Sequence, residues 1–123
     1  MTIKFDGGLT LSISVSNLDR SIDWYRDLFQ GELLYRLDDI AWCEISSPTQ
    51  RVNLGLSQVE EVKVGGPTPT FGVADIEAAK AELEKRAIRM DGEIMDIPGL
   101  VRLLTFYDPD DNSLMFYQEL ANA

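Results

Sequence analysis

The chain has 123 residues, 45% hydrophobic and 26% charged, with no histidine and a single cysteine, Cys43. That length and balance fit one ordinary globular domain whose core needs no disulfide or metal staple. Eleven basic against 21 acidic residues give a net charge of −10, which argues against nucleic acid and anionic membrane surfaces as partners.

The acidity is compatible with a cationic ligand, although solubility alone accounts for it and ranks first, the charge being shared between both halves. No apolar stretch approaches the roughly 20 residues that cross a bilayer, and the start, Met1 to Asp6, lacks the pattern of a signal peptide. A lone cysteine makes a reducing cytoplasm the expected compartment. Without a histidine to act as its base, Cys43 reads as a buried, inert thiol.

In chain order, Leu9, Leu11, Ile13 and Val15 alternate with Thr10, Ser12 and Ser14, a period of two that predicts a strand. Asn17 is a good N-cap and Asp19 favours the first helical turn. Leu18, Ile22, Tyr25 and Phe29 follow at helical spacing up to a stop at Gln30-Gly31. Strands are predicted over 32–37, 40–46 and 52–58, with turns at Asp38-Asp39 and 47–50.

The order then repeats. Val15-Ser16-Asn17-Leu18-Asp19 returns as Val73-Ala74-Asp75-Ile76-Glu77, again between a strand-like and a helix-like run. Residues 68–73 predict a strand, and Asp75 caps a helix whose buried stripe is Ile76, Ala79, Leu83 and Ala87. Strands follow at 93–97, 101–107 and 114–119. Residues 64–67, Val-Gly-Gly-Pro, form the joint between the copies.

Residues 108–112, Asp-Pro-Asp-Asp-Asn, are turn formers and predict a hairpin loop. Pairing across it sets Tyr107 opposite Ser113, Thr105 opposite Met115 and Leu103 opposite Tyr117 on one face. Leu104, Phe106, Leu114 and Phe116 fall on the other face, suited to covering by a helix. In the first copy the helix-side set is Leu9, Leu11, Ile13, Val15, Ala41, Cys43 and Ile45. The opposite faces carry Thr10, Ser12, Ser14, Trp42 and Glu44 in one copy, and Thr68, Thr70, Leu103, Thr105, Met115 and Tyr117 in the other. Such a mixed polar and aromatic surface suits small-molecule binding. In the strand over 52–58, Val52, Leu54 and Leu56 read as helix-facing, which leaves Asn53, Gly55 and Ser57 opposite.

The duplicated βαβββ order, the two matching helix starts and the Tyr107-Asp108-Pro109-Asp110-x-Asn112 hairpin resemble the vicinal oxygen chelate superfamily. That superfamily includes glyoxalase I, extradiol dioxygenases, fosfomycin-resistance enzymes and bleomycin-resistance proteins. The resemblance spans residues 9–120. It implies an α+β fold of two tandem βαβββ modules, 8–62 and 67–121, forming a curved mixed sheet around a central cleft. The modules make up one domain over 1–123, which the resemblance implies is a homodimer.

Most enzymes of the superfamily hold a divalent metal through His and Glu side chains. Carried over by the resemblance, the first-strand histidine falls on Thr10, its counterpart in the second copy on Thr68, and the last-strand glutamate on Met115. The remaining position falls within Asn53-Leu54-Gly55. None of these is a carboxylate or imidazole, so the resemblance implies a lost metal site and no cofactor. In the hairpin, Asp111 stands where relatives commonly have Gly.

The reading ranked first is therefore a metal-free binder of a small organic ligand, cationic and antibiotic-like, as in bleomycin-resistance proteins. Trp42 and Tyr117 would stack on the ligand, Glu44 would meet a cation, and Thr10, Ser12, Thr68, Thr70 and Thr105 would supply hydrogen bonds. Met115 and Leu103 would line the apolar floor. The runner-up is a metal-independent lyase or isomerase using Glu44 as acid–base and Tyr117 as proton donor. A metal-dependent glyoxalase- or dioxygenase-like enzyme comes third, and a metabolite- or partner-binding regulatory module predicts the same features. Each candidate also has a plain structural role: packing for Trp42 and Tyr117, a solvated strand face for Glu44, β-propensity for the threonines.

Overall fold

The computed structural model describes residues 2–120; Met1 and residues 121–123, at the ends of the expected domain and of its second module, lie outside the described residues. The chain divides into two compact units at the Lys63–Val64 peptide. In the first unit, β1 (Leu9–Val15), α1 (Leu18–Phe29), β2 (Leu33–Leu37), β3 (Trp42–Ser46) and β4 (Val52–Gln58) follow in order. They form a four-stranded sheet in the spatial order β1-β4-β3-β2, with β1 parallel to β4 and the other pairs antiparallel. The second unit contains β5 (Thr70–Gly72), α2 (Ile76–Lys85), β6 (Met95–Ile97), β7 (Val101–Tyr107) and β8 (Ser113–Glu119). Its sheet order, β5-β8-β7-β6, repeats that of the first unit, again with one parallel pair, β5 and β8.

The helix starts are built alike. The Asn17 side chain accepts the Arg20 N–H, and Asp75 accepts those of Glu77 and Ala78. A second acceptor arrives from the last strand of each unit: Gln58 Oε1 takes the Leu18 N–H and Gln118 Oε1 the Ile76 N–H, both at 2.7 Å. These bonds satisfy helix-end donors that have no partner inside the helix. An arginine also clamps each first turn. Arg36 bridges Asp19 at 2.7 Å and Asp38 at 2.6 Å, and Arg102 bridges Asp96 at 2.8 Å and Glu77 at 3.5 Å.

The alternation read from sequence places the cores. Ile13, Val15, Cys43, Ile45, Leu54 and Leu56 are buried with Leu18, Ile22, Tyr25 and Phe29 of α1. Leu104, Phe106, Leu114 and Phe116 are buried in the second unit with Ile76 and Leu83 of α2. Each fully buried side chain of this size contributes about 1.5–3 kcal/mol relative to exposure. Leu9, expected on the helix side, is 55% exposed at the start of its strand.

Several expectations need correction. Ile40 belongs to a short 3-10 turn (Asp38–Ile40), and Ala41 follows in the left-handed region, so β3 begins at Trp42. Thr68 lies outside β5, which starts at Thr70, because Pro67 and Pro69 have no N–H to give to a ladder. The Pro69 carbonyl still accepts the Met115 N–H. Ala87 lies beyond α2 and is exposed, with φ at 56°. The Ala87 N–H reaches the Glu84 carbonyl and the Ile88 N–H the Leu83 carbonyl, a Schellman ending that requires a left-handed residue after the cap. In the β7–β8 hairpin Asp111 takes the left-handed conformation (φ 67°). The buried Asp108 carboxylate holds that loop by accepting the N–H groups of Asp110 and Asn112 and the Asn112 amide.

Candidate functional site

Strand pairing decides which side chains share the sheet face turned away from α1. Thr10, Asn53 and Ser46 form one row across β1, β4 and β3. Ser12, Gly55, Glu44 and Tyr35 form the next, and Ser14, Ser57, Trp42 and Leu37 the last. The structure therefore brings Thr10, Ser12, Trp42 and Glu44 onto one face, with Asn53, Gly55 and Ser57 beside them as the alternation predicts.

Trp42 does not stand up from this face; it lies across β4. A methyl group at Gly55 would stand 2.6 Å from the indole Cζ2 and 3.1 Å from Cζ3, well inside contact distance, so only glycine permits the seat. The indole N–H donates to the Tyr35 hydroxyl at 2.9 Å. Beside it, the Thr10 hydroxyl donates to Glu44 Oε1 at 2.6 Å. At the start of β1 and β4 a shallow pocket of about 310 Å³ is lined by Asp6, Gly8, Leu9, Thr10, Arg51 and Asn53, with Arg51 paired to Asp6 at 3.7 Å.

In the second unit, Thr70, Met115 and Thr105 form one row, and Gly72, Tyr117, Leu103 and Met95 the next. Thr70, Leu103, Thr105, Met115 and Tyr117 thus share a face, as expected. Tyr117 is seated on Gly72 as Trp42 is on Gly55: a methyl at Gly72 would lie 3.0 Å from both Cζ and the hydroxyl oxygen. Thr68 is placed apart from β5, its hydroxyl hydrogen-bonded to that of Ser113 at 2.7 Å. The Thr70 hydroxyl donates to the Thr68 carbonyl at 3.0 Å.

Sequence reasoning missed Tyr35. A bulge between Leu33 and Tyr35 shifts the β2–β3 register by one residue, from Leu33 opposite Ile45 to Tyr35 opposite Glu44. A slip of one residue exchanges faces, and it brings Tyr35 to Trp42. Nothing in the run 33–37 announces the bulge. The two glycine seats carried a weak signal, since an isolated glycine in a strand marks a close approach.

At the positions to which the resemblance carries the superfamily's metal ligands, the donor chemistry does not fit a hard or borderline divalent ion. Thr10 and Thr68 offer hydroxyls that are already hydrogen-bonded, Met115 offers a thioether, and the stretch Asn53-Leu54-Gly55 offers one amide and no charged donor. Zinc, magnesium, manganese and iron sites use imidazole, thiolate or carboxylate donors. Among the described residues no group of three or more Cys, Asp and Glu side chains is placed to hold a metal ion. Cys43 is fully buried beneath α1, and burial pushes its thiol pKa up.

Two four-stranded mixed sheets, each with one helix and the same strand order, define the vicinal oxygen chelate architecture. The chain belongs to the Glyoxalase/Bleomycin resistance protein/Dioxygenase superfamily, whose family model matches residues 9–116. Comparison with curated proteins finds no match. Among solved structures, the chain is similar to TnmS3, an antibiotic binding protein from a Streptomyces species, at 21% identity, 97% of this chain, 100% of that one and a TM-score of 0.78. It is also similar to the fosfomycin resistance protein FosX from Listeria monocytogenes, at 12% identity, 95% and 94% coverage and a TM-score of 0.75. A superfamily member from Sphaerobacter thermophilus gives 19% identity, 95% and 98% coverage and a TM-score of 0.78. At these identities the likeness establishes the fold.

Described residues 2–120 contain no helix long and apolar enough to cross a membrane.

Proposed function

We propose that this protein binds a small organic molecule on the open faces of its sheets and does so without a metal. The observation that carries the reading is the pair Trp42 on Gly55 and Thr10 on Glu44. The first holds an aromatic ring against the strand, where it is available to stack on a planar group. The second spends the hydroxyl at a superfamily metal-ligand position on a hydrogen bond within the protein. Tyr117 on Gly72, with Leu103, Met115, Thr70 and Thr105, gives the second module an aromatic and apolar surface of its own. Thr68, bonded to Ser113, contributes to the edge of that surface. Likeness in fold to an antibiotic binding protein supports a binder and leaves the ligand to be identified.

In this reading the modules 8–62 and 67–121 act as one domain. The lone buried cysteine and the superfamily's usual assembly support a cytoplasmic homodimer as the working form.

The test is a ligand screen by tryptophan fluorescence in the presence of EDTA, with calorimetric confirmation. Saturable binding without turnover, insensitive to chelator and weakened at least tenfold by Trp42→Ala, is the expected result. Turnover that collapses in Glu44→Gln while binding survives would replace this reading with the metal-independent enzyme.

A further inference from the structure

Isomerisation of an aspartyl residue needs its carboxyl group, a following residue without a bulky side chain, and freedom for the next main-chain nitrogen to reach that carboxyl. Two pairs meet the first two conditions, Asp6-Gly7 and Asp91-Gly92. Both glycines have open space where a Cβ would stand, at φ 84° and 72°. The third condition separates them. Asp6 Oδ1 accepts the Gly8 N–H at 2.8 Å and lies 3.7 Å from the Arg51 guanidinium. The Asp91 carboxylate has no hydrogen-bond or ion-pair partner among the described residues, and neither has the Gly92 N–H. Asn112, which precedes the small Ser113, is held as Asp6 is. Its side-chain amide donates to the Asp108 carboxylate at 2.9 Å, and Ser113 is in register with Tyr107 at the start of β8. Asp108 itself is followed by proline, which has no N–H to lose.

We infer that Asp91-Gly92 is a site of spontaneous isoaspartate formation in the folded protein. The Gly92 nitrogen bonds to Cγ of protonated Asp91, and the carboxyl O–H leaves with the amide proton as water. The product is a five-membered imide. Water then adds to one of its carbonyls. Opening at Cγ restores Asp91, whereas opening at the main-chain carbonyl leaves Gly92 joined through Cγ, an isoaspartyl linkage. Water is lost and regained, so no oxidant, reductant or other reactant enters. The linkage adds one carbon to the main chain, and its place decides what it disturbs. Before it, the Tyr107 N–H reaches the Arg89 carbonyl at 3.0 Å and the Asp91 N–H the Thr105 carbonyl at 2.9 Å. After it, Met95 pairs with Leu103. The added carbon falls between these two registers on β7 and loosens the edge strand β6, whose Met95 shares the open face with Leu103. This inference is independent of the ligand-binding function proposed above.

The experiment incubates the native protein for several weeks in heavy-oxygen water at neutral pH and body temperature, and repeats this in guanidinium chloride. Each passage through the imide leaves heavy oxygen in the residue, whichever way the ring opens. Trypsin then releases residues 5–20, with Asp6, and residues 90–102, with Asp91. Electron-transfer fragmentation places the label and tells isoaspartate from aspartate. In the native protein Asp91 should take up label about tenfold or more faster than Asp6, because Asp6 must first leave a hydrogen bond to its charged carboxylate. The two rates should converge in the unfolded chain. Asp91→Glu, whose imide ring would be six-membered and closes far more slowly, should abolish uptake at position 91 while leaving the near-ultraviolet dichroism unchanged. Absence of label at Asp91 in the native protein, equal native rates at the two sites, or a gap that persists on unfolding would overturn the inference.

Discussion

The indole of Trp42 rests on the backbone of Gly55, where a methyl group would come within 2.6 Å of the ring. Gly55→Ala therefore has to lift the ring from its seat and break its hydrogen bond to Tyr35. We expect a loss of about 1–3 kcal/mol in stability, the usual cost of overpacking, together with a changed near-ultraviolet dichroism of Trp42. Chemical denaturation and the dichroism spectrum check both. An unchanged spectrum would mean that the ring is not seated as described.

The duplicated glutamine caps predict matched behaviour in the two modules. Gln58→Ala and Gln118→Ala each leave a helix-start N–H without its 2.7 Å acceptor, and each should cost about 1 kcal/mol. Asn17→Ala and Asp75→Ala should cost a similar amount. Urea midpoints for the four variants test whether the two helix starts are equivalent.

Much of this architecture could be read in advance. The hairpin register from Tyr107–Ser113 to Leu103–Tyr117 and both N-caps, Asn17 and Asp75, are local patterns, and they stand as the residues dictate. What escaped depends on partners distant in sequence or on backbone irregularity. Gln58 and Gln118 are polar residues at strand ends until a helix start is brought to them. Tyr35 changes face through a bulge, and Ala87 takes a left-handed turn that a helical period does not foretell. The same holds for the candidate site. That Thr10, Ser12, Trp42 and Glu44 share one face, and Thr70, Leu103, Thr105, Met115 and Tyr117 another, followed from alternation, whereas the place of Thr68, the ring lying on Gly55 and the Thr10–Glu44 bond are products of packing.

Ala87 offers a stabilising change. It is exposed, holds φ at 56° and occupies the position of a Schellman ending where glycine is usual. Ala87→Gly should raise stability by up to about 1 kcal/mol, because the left-handed conformation costs an L-residue that much or more. A lowered melting temperature would contradict this account of the α2 terminus.

Ser21 predicts a second gain. Its hydroxyl is fully buried in α1 with no hydrogen-bond partner among the described residues, and a buried unsatisfied group costs about 1–3 kcal/mol. Ser21→Ala removes the oxygen and should leave the protein equally or more stable by thermal denaturation.

Cys43 should be inert in the folded protein and reactive only on unfolding. Burial raises its thiol pKa above the ordinary value of 9.0, so the folded state keeps its proton where the unfolded chain has lost it. The stability this contributes is complete below pH 9.0 and falls as pH rises from there toward the folded value. Alkylation by iodoacetamide at pH 8 should follow the unfolding rate, and labelling of native protein at the rate of a free thiol would refute the placement.

The claim on which the account turns is that the superfamily's metal-binding positions have been given over to an organic-ligand surface. Elemental analysis of the purified protein, followed by calorimetric titration with zinc, nickel, manganese, magnesium and iron(II), addresses it most directly. No stoichiometric metal and no saturable heat are expected. One tightly bound metal ion per chain would contradict it and return the protein to the metal-dependent lyases and dioxygenases.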